Sequence, residues 1–331
     1  MDTTLIVLAA GMGSRYGGIK QLDPVGMSGE TILEFSVHDA FAAGFSRVVF
    51  VIRREIEQDF RDMVLAHMED RHSVALAYQE LEDLPGPDAA AEPAATSATW
   101  SAAIAAAWPA KAAALVSGRV KPWGTAHALW SARHAASGSV AVINADDFYG
   151  PSSFRLMHDF LIGAKGTPGA YAMVGYELGK TLSPYGTVAR GICTEDGRGR
   201  LVSIREHTKL SPEGTMVRSE QVDGGIVRFA PDTRVSMNFF GFSPDIFDQC
   251  GGYLRNFITS MEAAGEDRAK KEAYIPSVVN DLVQQGKATV EVLRSSEAWF
   301  GVTYRDDRPL VAASIRTLVE KGIYPSNLRK R

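Results

Sequence analysis

Two cysteines, Cys193 and Cys250, are all that the 331 residues contain. They cannot build a disulfide framework, and no C-x-x-C, H-E-x-x-H or Cys/His cluster offers zinc a ligand set. Long hydrophobic runs are also missing, with nothing approaching the ~18 consecutive apolar residues of a membrane span. The apolar run from Leu5 to Ala10 lacks a basic flank and ends in Gly-Met-Gly. That argues against a secretory signal and for a buried strand entering a loop. These absences lead us to expect a cytoplasmic protein with no membrane partner. Excess charge of one sign is lacking too. A net charge of −4 argues against general nucleic-acid binding, while a small polyanionic substrate stays compatible with positive charge concentrated locally. What the chain does have, 45% hydrophobic and 22% charged residues, excludes disorder throughout.

Apolar runs alternate with helix-like segments in the first half. Thr4–Ala9, Arg47–Ile52, Val74–Tyr78 and Ser139–Asn144 read as buried strands. Thr31–Ala43, Glu55–His67 and Ala126–Ser137 read as helices between them. This rhythm predicts an α/β, three-layer Rossmann-like fold with helices on both faces of a mixed, mainly parallel central sheet. In the second half, residues 170–176, 186–193, 200–205, 225–230 and 235–242 read as short strands separated by Gly, Pro and Asp turns. They predict an antiparallel or mixed extension of the same sheet, followed by helices near 274–285 and 309–321. The whole chain, 1–331, is expected to form one domain.

An alanine-rich insertion, residues 88–115, interrupts that domain. Fifteen of its 28 residues are alanine, and Pro93 and Pro109 punctuate it. Trp100, Ile104 and Trp108 recur at four-residue spacing, so a helix over 97–108 would carry them on one face. Such a stripe suits docking on the body, a lid, or a contact across a homodimer.

The segment LAAGMGSRYGGIKQL, Leu8 to Leu22, is the most informative. A strand runs into a glycine-rich loop holding two cations, Arg15 and Lys20. Glycines let backbone N–H groups approach phosphate oxygens, and the cations neutralise their charge. A dinucleotide fingerprint needs a glycine one position earlier than Gly17, and a P-loop needs Lys followed by Ser or Thr, whereas Gln21 follows Lys20. The pattern strand–L-A-A-G-x-G-[ST]-R with a nearby lysine resembles the sugar-phosphate nucleotidyltransferases, also called nucleoside-diphosphate-sugar pyrophosphorylases. The resemblance extends over roughly residues 3–84 and 118–325 and implies a glycosyltransferase-A-like Rossmann core. It implies that Ala9, Ala10, Gly11, Met12, Gly13 and Ser14 face the nucleotide, and that Arg15 and Lys20 hold the triphosphate and the reacting α-phosphate.

Further segments agree with that family. KPWGTAHAL, Lys121 to Leu129, resembles its L-G-T-x-x-A segment, which places Gly124 and Thr125 beside the base; Arg119 and Lys121 lie where relatives carry base-reading side chains. VINADDFYG, Val142 to Gly150, resembles the segment carrying a Mg2+-binding aspartate, with Asp146 in that place. Carboxylates at the end of a buried strand suit a hard cation. On the acceptor side, SPYGTVARG puts Gly186 at a sugar contact, IREHTK puts Glu206 at a carboxylate accepting sugar hydroxyls, and VSMNFFGF puts Asn238 at another sugar contact. The lysine that normally follows the glutamate is His207 here, with Lys209 two residues on, and either could meet the acceptor phosphate. AWFGVTY, Ala298 to Tyr304, resembles a late segment that carries a second carboxylate, but Gly301 occupies that place.

The implied reaction joins an NTP to a small phosphate-ester acceptor and releases pyrophosphate. Two rivals are a nucleotide-binding regulatory paralogue without turnover, suggested by Gly301, and an NAD-dependent oxidoreductase, which shares the parallel sheet but fails on glycine spacing. The base and the acceptor are not legible in the sequence.

Overall fold

The computed structural model describes residues 2–11, 23–68, 72–86, 114–221, 224–261, 269–301 and 307–330. Strands β1 (Thr3–Leu8), β2 (Arg47–Ile52), β3 (Val74–Tyr78) and β4 (Ser139–Asn144) pair in parallel in the order β4-β1-β2-β3. Their side chains alternate between two apolar clusters. Leu5, Val7, Val48, Phe50, Ala141 and Ile143 enter one, and Ile6, Val49, Val51, Val140 and Val142 enter the other. Strands with no wet face need cover on both sides, which is why these segments read as unbroken apolar runs.

Helices supply that cover. On the first face, α1 (Ile32–Ala43) and α2 (Glu57–Met63) contribute Leu33, Val37 and Phe60. A Thr31/Glu34 capping box starts α1, and left-handed Gly44 ends it, its N–H reaching the carbonyls of Ala40 and Phe41. On the second face, α3 (Thr125–Ser131) contributes Ala126 and Leu129. The chain then forms a two-residue strand β5 (Asp147–Phe148), and α4 (Pro151–Ala164) packs Phe154, Met157 and Leu161 on the first face.

The second half widens the sheet. It contains β6 (Ala170–Glu177), β7 (Val188–Glu195), β8 (Leu201–Glu213), β9 (Met216–Glu220), β10 (Ile226–Phe229) and β11 (Arg234–Phe242). Helices α5 (Ile246–Ser260) and α6 (Ile275–Gln284) cover the second face, and β12 (Thr289–Arg294) lies parallel beside β6. The described sheet runs β10-β9-β8-β7-β11-β4-β1-β2-β3, with β6 on β11. Beyond the parallel set, and apart from β12 on β6, the pairing is antiparallel. Finally β13 (Phe300–Gly301) pairs with β5, and α7 (Arg308–Glu320) packs Val311 and Ile315 beside Phe35, Phe148 and Tyr324. The α/β three-layer fold expected from the sequence is what the structure has.

One irregularity creates a fork. The start of β11 pairs with β7 through Val235 and Ser236, and its end pairs with β4 through Phe240 to Phe242. Between them the register slips, and Asn238 adopts the left-handed region at φ 61°. A strand that changes neighbours in this way leaves a gap between β4 and β7, bordered by the carboxyl end of a parallel strand.

Several elements depart from the sequence reading. The helix expected over Glu55–His67 splits into a 3₁₀ turn at Arg54–Ile56, α2, and a second 3₁₀ turn at Leu65–His67. The helix expected over Ala126–Ser137 stops as α3 at Ser131, where the backbone tightens: the Ala132 and Arg133 N–H groups donate to the carbonyls of Leu129 and Trp130, and the Arg133 side chain pairs with both carboxylate oxygens of Asp83. Strands β9 and β12 and helices α4 and α5 were not anticipated. The alanine-rich insertion lies outside the described residues except for Ala114 and Leu115.

Candidate active site

The nucleotide side starts where β1 ends. Ala9 and Ala10 are buried, and the Ala9 N–H donates to the Val51 carbonyl. Gly11 follows and is exposed. Met12, Gly13, Ser14, Arg15 and Lys20 lie outside the described residues.

The Gly124–Thr125 turn is held firmly from behind. Gly124 has φ 99°, and a Cβ there would stand 2.4 Å from the Ala273 carbonyl oxygen, so the turn admits only glycine. Gln79 donates to the Gly124 carbonyl at 2.9 Å and reaches His127 Nδ1 at 3.2 Å. His127 Nε2 lies 2.7 Å from the Asp83 carbonyl, so the ring is neutral, Nε2–H donating and Nδ1 accepting. Burial pushes its pKa down to about 4. Thr125 Oγ1 accepts the Ile275 N–H at 3.0 Å. Arg119 is buried over the Trp123 ring and donates to the Pro122 and Lys271 carbonyls, bracing the same turn; burial lowers its pKa. Lys121 pairs with Glu272 at 2.9 Å.

The carboxylates sit just past β4. Asp146 is half-buried and Asp147 buried. Asp147 Oδ2 accepts from Asn144 Nδ2 at 2.8 Å and lies 3.3 Å from the Tyr149 hydroxyl. That hydroxyl accepts the Asn144 N–H and donates to the Met237 carbonyl, tying the end of β4 to the β11 irregularity. Burial, then the charge of Asp147, drives the Tyr149 pKa far up, so it remains a neutral donor. Gly301 is the register partner of Asp147, and a Cβ on it would stand 2.4 Å from Asp147 Oδ1. The place where the resemblance led us to expect a late carboxylate is thus approached by the carboxylate of Asp147. Among the described residues no group of three or more His, Cys, Asp or Glu forms a metal cage. Asp146 and Asp147 are neighbours in sequence, and Asp147 lines a cavity at the fork; carboxylate donors of this kind suit Mg2+, which commonly takes one or two of them and completes its shell with water and substrate phosphate.

A cavity of about 400 Å³ opens at the fork. Thr125, Asn144 and Asp147 line it near β4, Arg190, Gly191, Glu206 and Asn238 on the far side, and Trp299 closes one wall. The structure therefore brings together Thr125, Glu206 and Asn238, distant in sequence, with Asp147 beside them. Gly186 is exposed in a turn bridged to Ser183 and does not line the cavity. Lys209 is also away from it: its Nζ pairs with Glu220 at 2.9 Å. His207 sits against Phe229 with Nδ1 3.3 Å from Ser219 Oγ and 3.1 Å from Gln221 Nε2, and burial lowers its pKa. The cavity is also lined by Asp147, Arg190 and Trp299. Asp147 is visible in the sequence as the second of the two aspartates after β4; an isolated arginine in a strand carries no pattern.

The comparisons accord with this geometry. Residues 5–148 match the model of the MobA-like NTP transferase domain. No curated protein matches the chain by sequence. A solved structure from Bacillus anthracis, described provisionally as a glucose-1-phosphate thymidylyltransferase in complex with a sucrose, is similar at 13% identity, covering 95% of each chain with a TM-score of 0.56. That likeness carries the fold over nearly the full length. No helix among the described residues is long and apolar enough to cross a membrane. Residues 5–148 thus resemble the MobA-like NTP transferase domain, and nearly the whole chain shares its fold with the Bacillus anthracis structure.

Proposed function

We propose that this protein transfers a nucleoside monophosphate from an NTP to a sugar 1-phosphate or similar phosphate monoester, releasing pyrophosphate in a Mg2+-dependent reaction. The observation that carries the reading is the cavity at the fork. It lies at the carboxyl end of β4, borders the buried carboxylate of Asp147 and the Gly124–Thr125 turn, and exposes Glu206 for an acceptor's hydroxyls.

In the proposed reaction an acceptor phosphate oxygen attacks the α-phosphorus. A new P–O bond forms there as the bond to the bridging α–β oxygen breaks, and pyrophosphate leaves with the electron pair. A phosphate monoester has a second pKa near ~6, so its attacking oxygen is already largely ionised at neutral pH and no general base is required. The chain's task is then to position the two substrates and neutralise charge. Asp146 and Asp147 would hold Mg2+, which when bound supplies positive charge to phosphate oxygens. On the sequence resemblance, Arg15 would steady the leaving pyrophosphate and Lys20 the α-phosphate. The backbone from Ala9 to Ser14 and the Gly124–Thr125 turn would hold the nucleotide, and Glu206 and Asn238 the acceptor. The insertion is proposed as a surface element of a single domain, and a homodimer as the assembly.

The test is a screen of all four NTPs against a library of phosphate esters, read by pyrophosphate release with and without Mg2+. At least one pair should release pyrophosphate only when both substrates and the metal are present. No release from any pair, with NTP binding retained, would favour the regulatory reading.

A further inference from the structure

The acceptor side of the cavity poses a charge problem that the sequence resemblance does not solve. A phosphate monoester brings roughly two negative charges. The cations expected to meet it, Lys209 and His207, are engaged elsewhere, with Glu220 and with Ser219 and Gln221. Among the described residues lining the cavity, Arg190 alone is cationic.

Arg190 is an unusual arginine. It lies on β7, half-buried, with its guanidinium 4.7 Å over the ring of Trp299. Its donors go to backbone carbonyls: Nε and Nη2 to Thr181, and Nη1 to Ala189. Those bonds fix the guanidinium plane yet leave one N–H on each terminal nitrogen. Burial pulls its pKa down to about 10, with the negative charge of Asp147 opposing that shift. A half-buried cation held mainly by neutral carbonyls is incompletely compensated, and an arriving anion would restore part of what desolvation removed. Trp299 adds a second such feature, because its buried indole N–H has no hydrogen-bond partner among the described residues.

The strand geometry gives the cavity a polarity. Alternation along β7 sends Val188 and Ile192, and with them Arg190, toward the cluster that contains Trp299. Cys193 and Ile204 belong to the opposite cluster, and Gly191 is the register partner of Glu206. An acceptor spanning the fork thus meets positive charge on the side of Asp147 and Trp299, and a free carboxylate on the other.

We propose that Arg190, braced on Trp299, receives the phosphate group of the acceptor, which is a phosphate monoester bearing hydroxyls for Glu206. The orientation turns the phosphate toward Asp147 and the sugar or cyclitol ring away from it. This proposal rests on the nucleotidyl-transfer reading for the word acceptor, but not for the binding event.

Binding without turnover tests it. The full-length protein is titrated calorimetrically with glucose 1-phosphate, glucose and inorganic phosphate, and separately with each NTP, in the absence of Mg2+. Wild type should bind glucose 1-phosphate at least tenfold more tightly than glucose. Arg190→Gln should weaken glucose 1-phosphate and inorganic phosphate about 10- to 100-fold, as expected for loss of a charge-assisted pair, and leave NTP affinity unchanged. Arg190→Lys keeps the charge but loses the planar fork, so it should fall between them and serves if the glutamine variant does not fold. Four results would overturn the proposal: no binding of either phosphate probe by wild type, unchanged affinity in both variants, loss of NTP affinity instead, or loss produced by Lys209→Ala and not by Arg190→Gln. Failure of the pyrophosphate screen would count against nucleotidyl transfer and leave this binding result standing.

Discussion

At Gly301 the absence of a side chain makes room for the carboxylate of Asp147, whose Oδ1 would be 2.4 Å from a Cβ there. Gly301→Ala should therefore push Asp147 aside with little effect on the fold. The expected result is a several-fold higher Mg2+ requirement for turnover; an unchanged metal titration would take Asp147 out of the metal site. Asp146→Asn removes one anionic ligand from a hard cation and should nearly abolish activity, with the melting temperature close to wild type. Turnover and metal dependence equal to wild type would reduce Asp146 to a turn residue. Lys20→Ala should lower kcat on the order of 10²–10³-fold, as for a lost charge-stabilising donor. Near-normal turnover in the folded variant would remove Lys20 from the chemistry. These residues differ in how they became visible. Arg15 and Lys20 stand in a motif with fixed spacing, and Asp146 ends an apolar run, which makes all three candidates from the sequence; Arg15 and Lys20 lie outside the described residues, so their roles rest on the resemblance. Glu206 and Lys209 are an odd number of residues apart on one strand, and β8 sends only Glu206 into the cavity, with Lys209 at φ 51° where the register slips. Arg190 emerges only from the three-dimensional meeting of β7, the Thr181 turn and Trp299.

Among the elements, the parallel strands were readable because burial on both faces leaves their central positions apolar, as in Val48 to Ile52 of β2. β12, TVEVLR, alternates buried and exposed residues beside a wet surface, and its short pattern did not separate it from a loop. α5 was hidden by the Gly251-Gly252 pair, which lowers helix propensity, although Ile246, Cys250, Leu254 and Ile258 share its buried face. The turn before α3 makes a pH-dependent prediction. His127 is neutral in the fold with a pKa of about 4, against ~6.5 when unfolded. The unfolded chain binds the proton first, so the His127 contribution is fully present above pH ~6.5 and is lost as pH falls toward 4. The span corresponds to about 3 kcal/mol at most. Urea unfolding at pH 7 and pH 4.5 should show wild type losing more stability than His127→Gln over that interval. Equal losses would mean that His127 does not titrate as the buried network requires.

At the scale of the molecule, nothing in the nucleotidyl-transfer reading assigns chemistry to the alanine-rich insertion. Replacing residues 89–114 with a short Gly/Ser linker should leave turnover within about tenfold, a change below about 1.4 kcal/mol in transition-state stabilisation. A folded deletion variant with turnover down a thousandfold would make the insertion part of the site. The central claim is that the α-phosphorus of an NTP becomes bonded to an acceptor's phosphate at the fork between β4 and β7. The most direct measurement is phosphorus NMR of the products formed by the best NTP and phosphate-ester pair with Mg2+. The account predicts a new diphosphate linkage between nucleoside monophosphate and acceptor, in one-to-one ratio with free pyrophosphate. Orthophosphate and nucleoside diphosphate, or pyrophosphate with free nucleoside monophosphate and an unchanged acceptor, would contradict it.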